Sequence, residues 1–167
     1  MNLKILSLVI IGVCILLPDV CYAFLEKDVH LLNMQNGLAD NTVSAVYKDK
    51  EGFVWFGTRN GLSRYDGRQI TNFEQSNSYP SISNLKEVFD GVLAFVDNGV
   101  FSAFDLKKER FLSVVSSSGQ GIPSRGMLQK NDSLVWVISG SELHLMKRCA
   151  SKEGELRLRV QEKYTGW

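Results

Sequence analysis

The chain has 167 residues, 44% of them hydrophobic and 22% charged, with 19 basic against 18 acidic side chains. That is the composition of one ordinary folded domain, and it excludes a disordered tail. The formal net charge of +1 also excludes the broad basic field that gathers nucleic acid, so charge names no partner.

Residues 1–23 differ from the rest of the chain. Lys4 gives a positive start, Ile5 to Leu17 form an apolar run, and Pro18 and Asp19 break it ahead of Cys21 and Ala23. Small residues at those two places mark a secretory signal peptide, with cleavage expected between Ala23 and Phe24. A spanning helix needs about 20 apolar residues, more than this run supplies. Removal of the leader takes Cys14 and Cys21 with it and leaves Cys149 alone, which excludes an internal disulfide framework.

After an N-terminal strand expected within 24–36, short segments of strand-like composition succeed one another, and none has the length or 3.6-residue spacing of a helix. Strands are expected near 43–48, 53–58, 61–65 and 69–74, separated by turn residues at 49–52, 59–60 and 66–67. Four short strands joined by tight turns make an antiparallel meander. The run Phe53 to Phe56 is apolar at four successive positions, so both faces of that strand need to be dry.

The cassette recurs. Trp55 stands seven residues before Leu62, Leu93 seven before Val100, and Trp136 seven before Leu143, which sets repeat offsets of 38 and 43 residues. The stretch Asp97 to Asp105 parallels Arg59 to Asp66, with Asn98-Gly99 answering Asn60-Gly61. Further strands are expected near 109–115 and 157–163. A period of about 40 residues holding four strands is the mark of a β-propeller blade. The fold class expected is therefore all-β, a partial β-propeller of about three four-stranded antiparallel blades preceded by a signal peptide helix. The expected divisions are signal peptide 1–23, N-terminal strand 24–36, blade one 37–78, blade two 79–120 and a degenerate blade three 121–167.

Residues 37–67 closely resemble the two-component regulator propeller repeat of the periplasmic sensor regions of hybrid two-component systems in Bacteroidetes. The marks are Gly37-Leu38, Asn41, Val43, Asp49, Gly52-Phe53, Trp55, Gly57-Thr58, Gly61-Leu62 and Tyr65-Asp66-Gly67. The later copies depart from the pattern, with Leu at 93 and Phe-Val at 95 and 96. The resemblance implies a periplasmic or otherwise exported segment of a sensor for glycan-derived oligosaccharides, with no catalysis of its own. It also implies an N-terminal piece of a longer sensor, whose partners are an oligosaccharide and either further blades or another copy of itself, and not nucleic acid. A small exported module acting by self-assembly or adhesion is the alternative reading, and a propeller glycosidase or lyase fragment ranks below it.

No catalytic, cofactor or metal residue is assigned. His30 and His144 lack any companion at metal-ligand spacing, and Glu51 and Glu109 stand in turn-rich surroundings where solvated carboxylates are ordinary. Trp55 and Trp136 are expected in blade cores, and Asp66, Asp97 and Asp105 as turn caps. Propeller analogy places a ligand at one end of the central channel, among the segments leading into the innermost strands, which points to Asn41, Asn84 and Arg125.

Overall fold

The computed structural model describes residues 30–74 and 82–166. The expected leader and its cleavage site at Ala23 and Phe24 lie outside the described residues. The chain divides into two compact units, Met1–Leu31 and Leu32–Trp167, and every element below belongs to the second.

Of the strand expected over 24–36, the described part contains instead a single 3-10 turn, Met34–Asn36. The Asn33 side chain accepts from the Asn36 amide at 3.1 Å, and Gly37 closes the turn in the left-handed region at φ 101°. These two local hydrogen-bonding and backbone preferences outcompete extended chain here.

Among the described residues, twelve strands form three meanders. The first holds β1 (Val43–Lys48), β2 (Val54–Thr58), β3 (Gly61–Tyr65) and β4 (Ile70–Phe73). The second holds β5 (Ile82–Phe89), β6 (Val92–Asp97), β7 (Val100–Asp105) and β8 (Arg110–Ser116). The third holds β9 (Gly126–Asn131), β10 (Leu134–Ser139), β11 (Glu142–Cys149) and β12 (Glu155–Thr165). Within each meander, neighbours in sequence are neighbours in the sheet, antiparallel throughout. This is an all-β propeller segment of three four-stranded blades.

Turn chemistry explains the punctuation. Asp66 Oδ1 accepts from the amides of Arg68 and Gln69, both at 2.8 Å, and Asp105 Oδ1 accepts from those of Lys107 and Lys108, both at 3.0 Å. Each aspartate thereby satisfies two amides that the ladder leaves free, which is the turn-capping role expected of both.

The ladder corrects the repeat alignment. The hairpin-closing pairs are Thr58 with Gly61, Asp97 with Val100, and Ser139 with Glu142. Superposing these turns makes Trp55 equivalent to Ala94 and Trp136, and Leu62 equivalent to Phe101 and Leu143. The offsets become 39 and 42, so Leu93 and Val100 are each one place out. In a strand a one-residue slip reverses the face, and packing shows which alignment is physical. Trp55 and Leu62 point toward the second blade, whereas Leu93 points back toward the first; Ala94 and Phe101 point on to the third.

Each blade thus has a front face, toward its successor, and a rear face. Between blades one and two, Trp55 and Leu62 on the front meet Ile82, Leu85, Leu93, Phe95 and Phe104 on the rear. Between blades two and three, Val92, Ala94, Phe101 and Ala103 meet Val135, Val137, Met146, Leu156 and Leu158. All six residues of β6 are buried, because the middle blade is covered on both faces. Full burial of such an apolar side chain contributes on the order of 1.5–3 kcal/mol.

One pairing was not legible beforehand. The outermost strands β8 and β12 run parallel and pair from Glu155 with Ser113 to Leu158 with Ser116, joining blades two and three into one eight-stranded sheet. The innermost strands also come together, with Asn84 Nδ2 donating to the Arg125 carbonyl at 3.5 Å, so this sheet wraps into a nearly closed, barrel-like form.

Close approach of blades one and two depends on Gly57. A Cβ there would lie 2.5 Å from Ile82 Cγ2. Gly57→Ala is expected to destabilise the fold by about 1–3 kcal/mol in urea unfolding, while Gly121→Ala, where the nearest atom is 3.9 Å away, stays within about 0.5 kcal/mol.

Candidate functional site

The blades define two ends. The leading end carries the starts of β1, β5 and β9 and the turns between second and third strands; the trailing end carries the turns after the first and third strands of each blade. The three residues expected to face a ligand all lie at the leading end. Asn41 is exposed, and its Oδ1 accepts from the Met34 amide at 2.8 Å. Asn84 is exposed with φ 54°, and its amide reaches Ser83 Oγ as well as the Arg125 carbonyl. Arg125 is exposed at the side chain, while its amide donates to the Ile138 carbonyl at 2.8 Å.

Asn84 and Arg125 are thus brought together through the Arg125 backbone, and no described contact joins Asn41 to either. The Asn84 contact has a counterpart one blade earlier, where Ser44 Oγ donates to the Ile82 carbonyl. Ile82 and Arg125 occupy matching places at the start of their innermost strands, so each inner strand reaches the carbonyl of the next. At Asn84 the side chain therefore binds a neighbouring blade at the leading end.

A cavity of about 460 Å³ opens at the trailing end, between blades one and two. Phe53 and Trp55 form its apolar wall, and Arg64, Glu87, Asp90 and Glu109 are among its polar lining. The Arg64 guanidinium carbon lies 4.8 Å from the Phe53 ring centre, 5.5 Å from Phe73 and 5.6 Å from Trp55. Its Nη1 meets Glu109 Oε1 at 2.6 Å, tying blade one to the last turn of blade two.

Asp49 organises the wall from the first turn of blade one. Its Oδ1 accepts from the amides of Phe53 and Glu51 at 2.9 and 3.0 Å, and its Oδ2 accepts from the buried Trp55 indole at 2.8 Å. Across the gap, Glu87 is buried yet satisfied: its Oε1 accepts from the Gly91 amide at 3.0 Å and from Lys50 Nζ at 3.3 Å. Hydrogen bonding to Glu87 and attraction to its charge raise the Lys50 ammonium above the usual lysine range. Burial, with the nearby Glu87 charge second, raises the Tyr47 hydroxyl.

The Lys50–Glu87 and Arg64–Glu109 pairs join the two blades, whereas the Asp49 bonds and the Glu87–Gly91 bond each stay within one blade. Arg64, Glu87 and the Arg64–Glu109 pair were not legible in the sequence because partners 45 residues apart share no local pattern. His144 pairs with Glu142 at 2.9 Å, and among the described residues no cluster of histidine, cysteine and carboxylate side chains is placed to hold a metal. No described helix is long and apolar enough to cross a membrane.

Sequence and structure comparisons place this architecture among known proteins. Residues 37–60, running from the leading segment through β1 and β2 into the next turn, match the two component regulator propeller family model. The fold is a β-propeller, and over these residues the chain is similar to the two component regulator propeller repeat. Among solved structures it is similar to the extracellular domain of the putative hybrid two component system BT4673 from B. thetaiotaomicron, at 22% identity and TM-score 0.59, over 80% of this chain and 18% of that one. A second structure, described as the extracellular domain of a one component system of the same designation and organism, gives 18% identity and TM-score 0.58, over 80% and 21%. The extracellular domain of the B. thetaiotaomicron hybrid two component system BT3049 gives 24% identity and TM-score 0.51, over 71% and 18%. The chain spans about a fifth of the length of these relatives. A search of curated proteins finds no match.

Two outcomes test the local chemistry. Asp49→Ala strands the buried Trp55 N–H and is expected to cost about 1–3 kcal/mol in urea unfolding, with Glu51→Ala within about 0.5 kcal/mol. A pH effect is expected at the clasp between blades two and three, where Glu153 Oε1 meets Lys108 Nζ at 2.7 Å and Arg110 Nη2 at 3.0 Å. Hydrogen bonding to Lys108, then its charge and that of Arg110, holds this carboxyl below the usual glutamate range. A depressed carboxyl contributes stability that is complete above its unfolded-chain value and lost as pH falls through the folded one. Thermal unfolding of Glu153→Gln should therefore differ from the parent near neutral pH and converge with it in acid.

Proposed function

We propose that this chain is a ligand-sensing propeller segment of a two-component regulator, exported from the cytoplasm and acting by binding. The observation that carries the reading is the repeat at residues 37–60, set in a fold of three successive blades. The similar solved structures, described as extracellular domains of one and two component systems, support an exported location, as does the leader pattern ending at Ala23. The segment forms the opening blades of a larger sensor, and the ligand class is an oligosaccharide released from a glycan.

The ligand meets the leading end of the channel, where exposed amide and guanidinium groups of Asn41, Asn84 and Arg125 offer donors and acceptors suited to hydroxyl-rich molecules.

Calorimetric titration of the sensor that contains this chain with a panel of oligosaccharides tests the reading. One panel member is expected to bind, and joint replacement of Asn41, Asn84 and Arg125 by alanine should weaken it by at least about tenfold, roughly 1.4 kcal/mol. Unchanged affinity in the triple variant removes the leading end as the site. Absence of binding across the panel removes the oligosaccharide.

A further inference from the structure

The cavity between blades one and two has an uneven charge balance. Five of its lining residues are carboxylates and three are cations. Arg64 meets Glu109 at 2.6 Å, Lys107 meets Asp90 at 3.3 Å and Lys50 meets Glu87 at 3.3 Å, so each of the three cations has a partner. Asp49 and Glu51 are left over, and no described cation pairs with either. The described hydrogen bonds of Asp49 come only from neutral N–H groups, which satisfy its oxygens without cancelling its charge. The space therefore carries a surplus of negative charge, which repels anions and draws cations.

Glu87 gives that surplus a direction. Its side chain is only 8% exposed, and Oε1 takes both of its described hydrogen bonds, from the Gly91 amide and from Lys50 Nζ. Oε2 accepts from no described group. Among the described residues, Arg110 Nε is the one enclosed, unpartnered atom on a side chain that is not itself exposed, so Glu87 Oε2 is open. A smaller space of about 80 Å³, reaching the innermost strands at Tyr47, Lys86 and Gln129, shares Lys50 and Glu87 with the cavity. The Glu87 carboxylate thus stands at the inner end of the larger cavity, with one oxygen free to accept.

The chain's own lysines do not fill this place. Lys50 and Lys107 are 74% and 75% exposed at their side chains, so both reach their carboxylates from the solvent side. The interior is walled instead by Phe53 from blade one and Leu106 from blade two, both half-buried against the joint. At about 460 Å³ the cavity falls within the range of small-molecule sites, roughly 300–1,000 Å³. A metal ion does not suit it, because no described carboxylates converge on a common point as metal ligands. An ammonium group suits it better, since it needs one charged acceptor and leaves the rest of the ligand to the apolar wall.

We propose that this trailing-end cavity binds a small organic cation, a primary ammonium on a compact apolar body. The ammonium donates to Glu87 Oε2, and the body rests against Phe53 and Leu106. The site lies at the opposite end of the blades from Asn41, Asn84 and Arg125, and its ligand differs in kind from the oligosaccharide assigned there.

Phenethylammonium is the probe, with phenethyl alcohol and phenylacetate as its neutral and anionic counterparts. Calorimetric titration of the full chain near neutral pH is expected to show saturable binding of the amine and at least about tenfold weaker binding of both counterparts. Glu87→Gln keeps the side chain's shape and an acceptor for the Gly91 amide but removes the charge, and should weaken the amine by at least about tenfold. Lys50→Met keeps the exposed aliphatic stem and removes a like charge from beside the site. It should tighten the amine at least about threefold, and as a surface change it tests the site even where Glu87→Gln unfolds the chain. Joint replacement of Asn41, Asn84 and Arg125 by alanine should leave amine binding as in the parent, so failure here and failure of the leading-end site are separate results. Equal binding of amine and alcohol, or no saturable binding of the amine, overturns the proposal. So does an amine affinity unchanged in a folded Glu87→Gln variant or in Lys50→Met.

Discussion

The contact on which the rest of this structure depends is the seating of one blade's front face on the rear of the next. A four-stranded meander buries little by itself, since its sheet is one layer thick and both sides meet water. Trp55 and Leu62 become dry only because Phe95 and Phe104 arrive from the next blade, and Phe101 because Val137 and Met146 do. β6, buried at every position, shows the limit that each blade approaches when it has two neighbours.

Polar contacts lie along the same joints and fix their geometry. Ser44 and Asn84 reach the carbonyls of Ile82 and Arg125 at the leading end, and the Arg64–Glu109 and Lys108–Glu153 pairs tie the trailing end. Exposed ion pairs of this type are each worth little, about 0–1 kcal/mol, so the apolar faces supply the energy and the polar ties the alignment. The parallel pairing of β8 with β12 adds a backbone ladder to the second joint, which the first joint lacks.

Much of this was legible in the sequence. The four strands of blade one fall within a residue or so of where alternation and turn residues place them, because Asp49, Asn60-Gly61 and Asp66-Gly67 act locally. The number of blades came from the recurring hairpin. Aligning blade two on Leu93 failed because Ala94, the true counterpart of Trp55, carries no aromatic signal, and parity is decided by which face meets a neighbour. Trp136 keeps the repeat position of Trp55 but is only half-buried, since its environment belongs to the blade set against it. The Arg64 cavity and the β8–β12 pairing join residues far apart in the chain and left no trace in spacing. Fold analogy grouped Asn41, Asn84 and Arg125 at one end of the blades without foreseeing the amide contact that links Asn84 to the Arg125 carbonyl.

A double-mutant cycle between Trp55 and Phe104, monitored by urea unfolding, tests the central claim most directly. These residues sit on facing blades with rings 5.5 Å apart, so the account predicts a coupling of about 0.5–1.5 kcal/mol between the two alanine substitutions. Strictly additive effects, with no coupling beyond error, would contradict the claim that the front of one blade is held by the rear of the next.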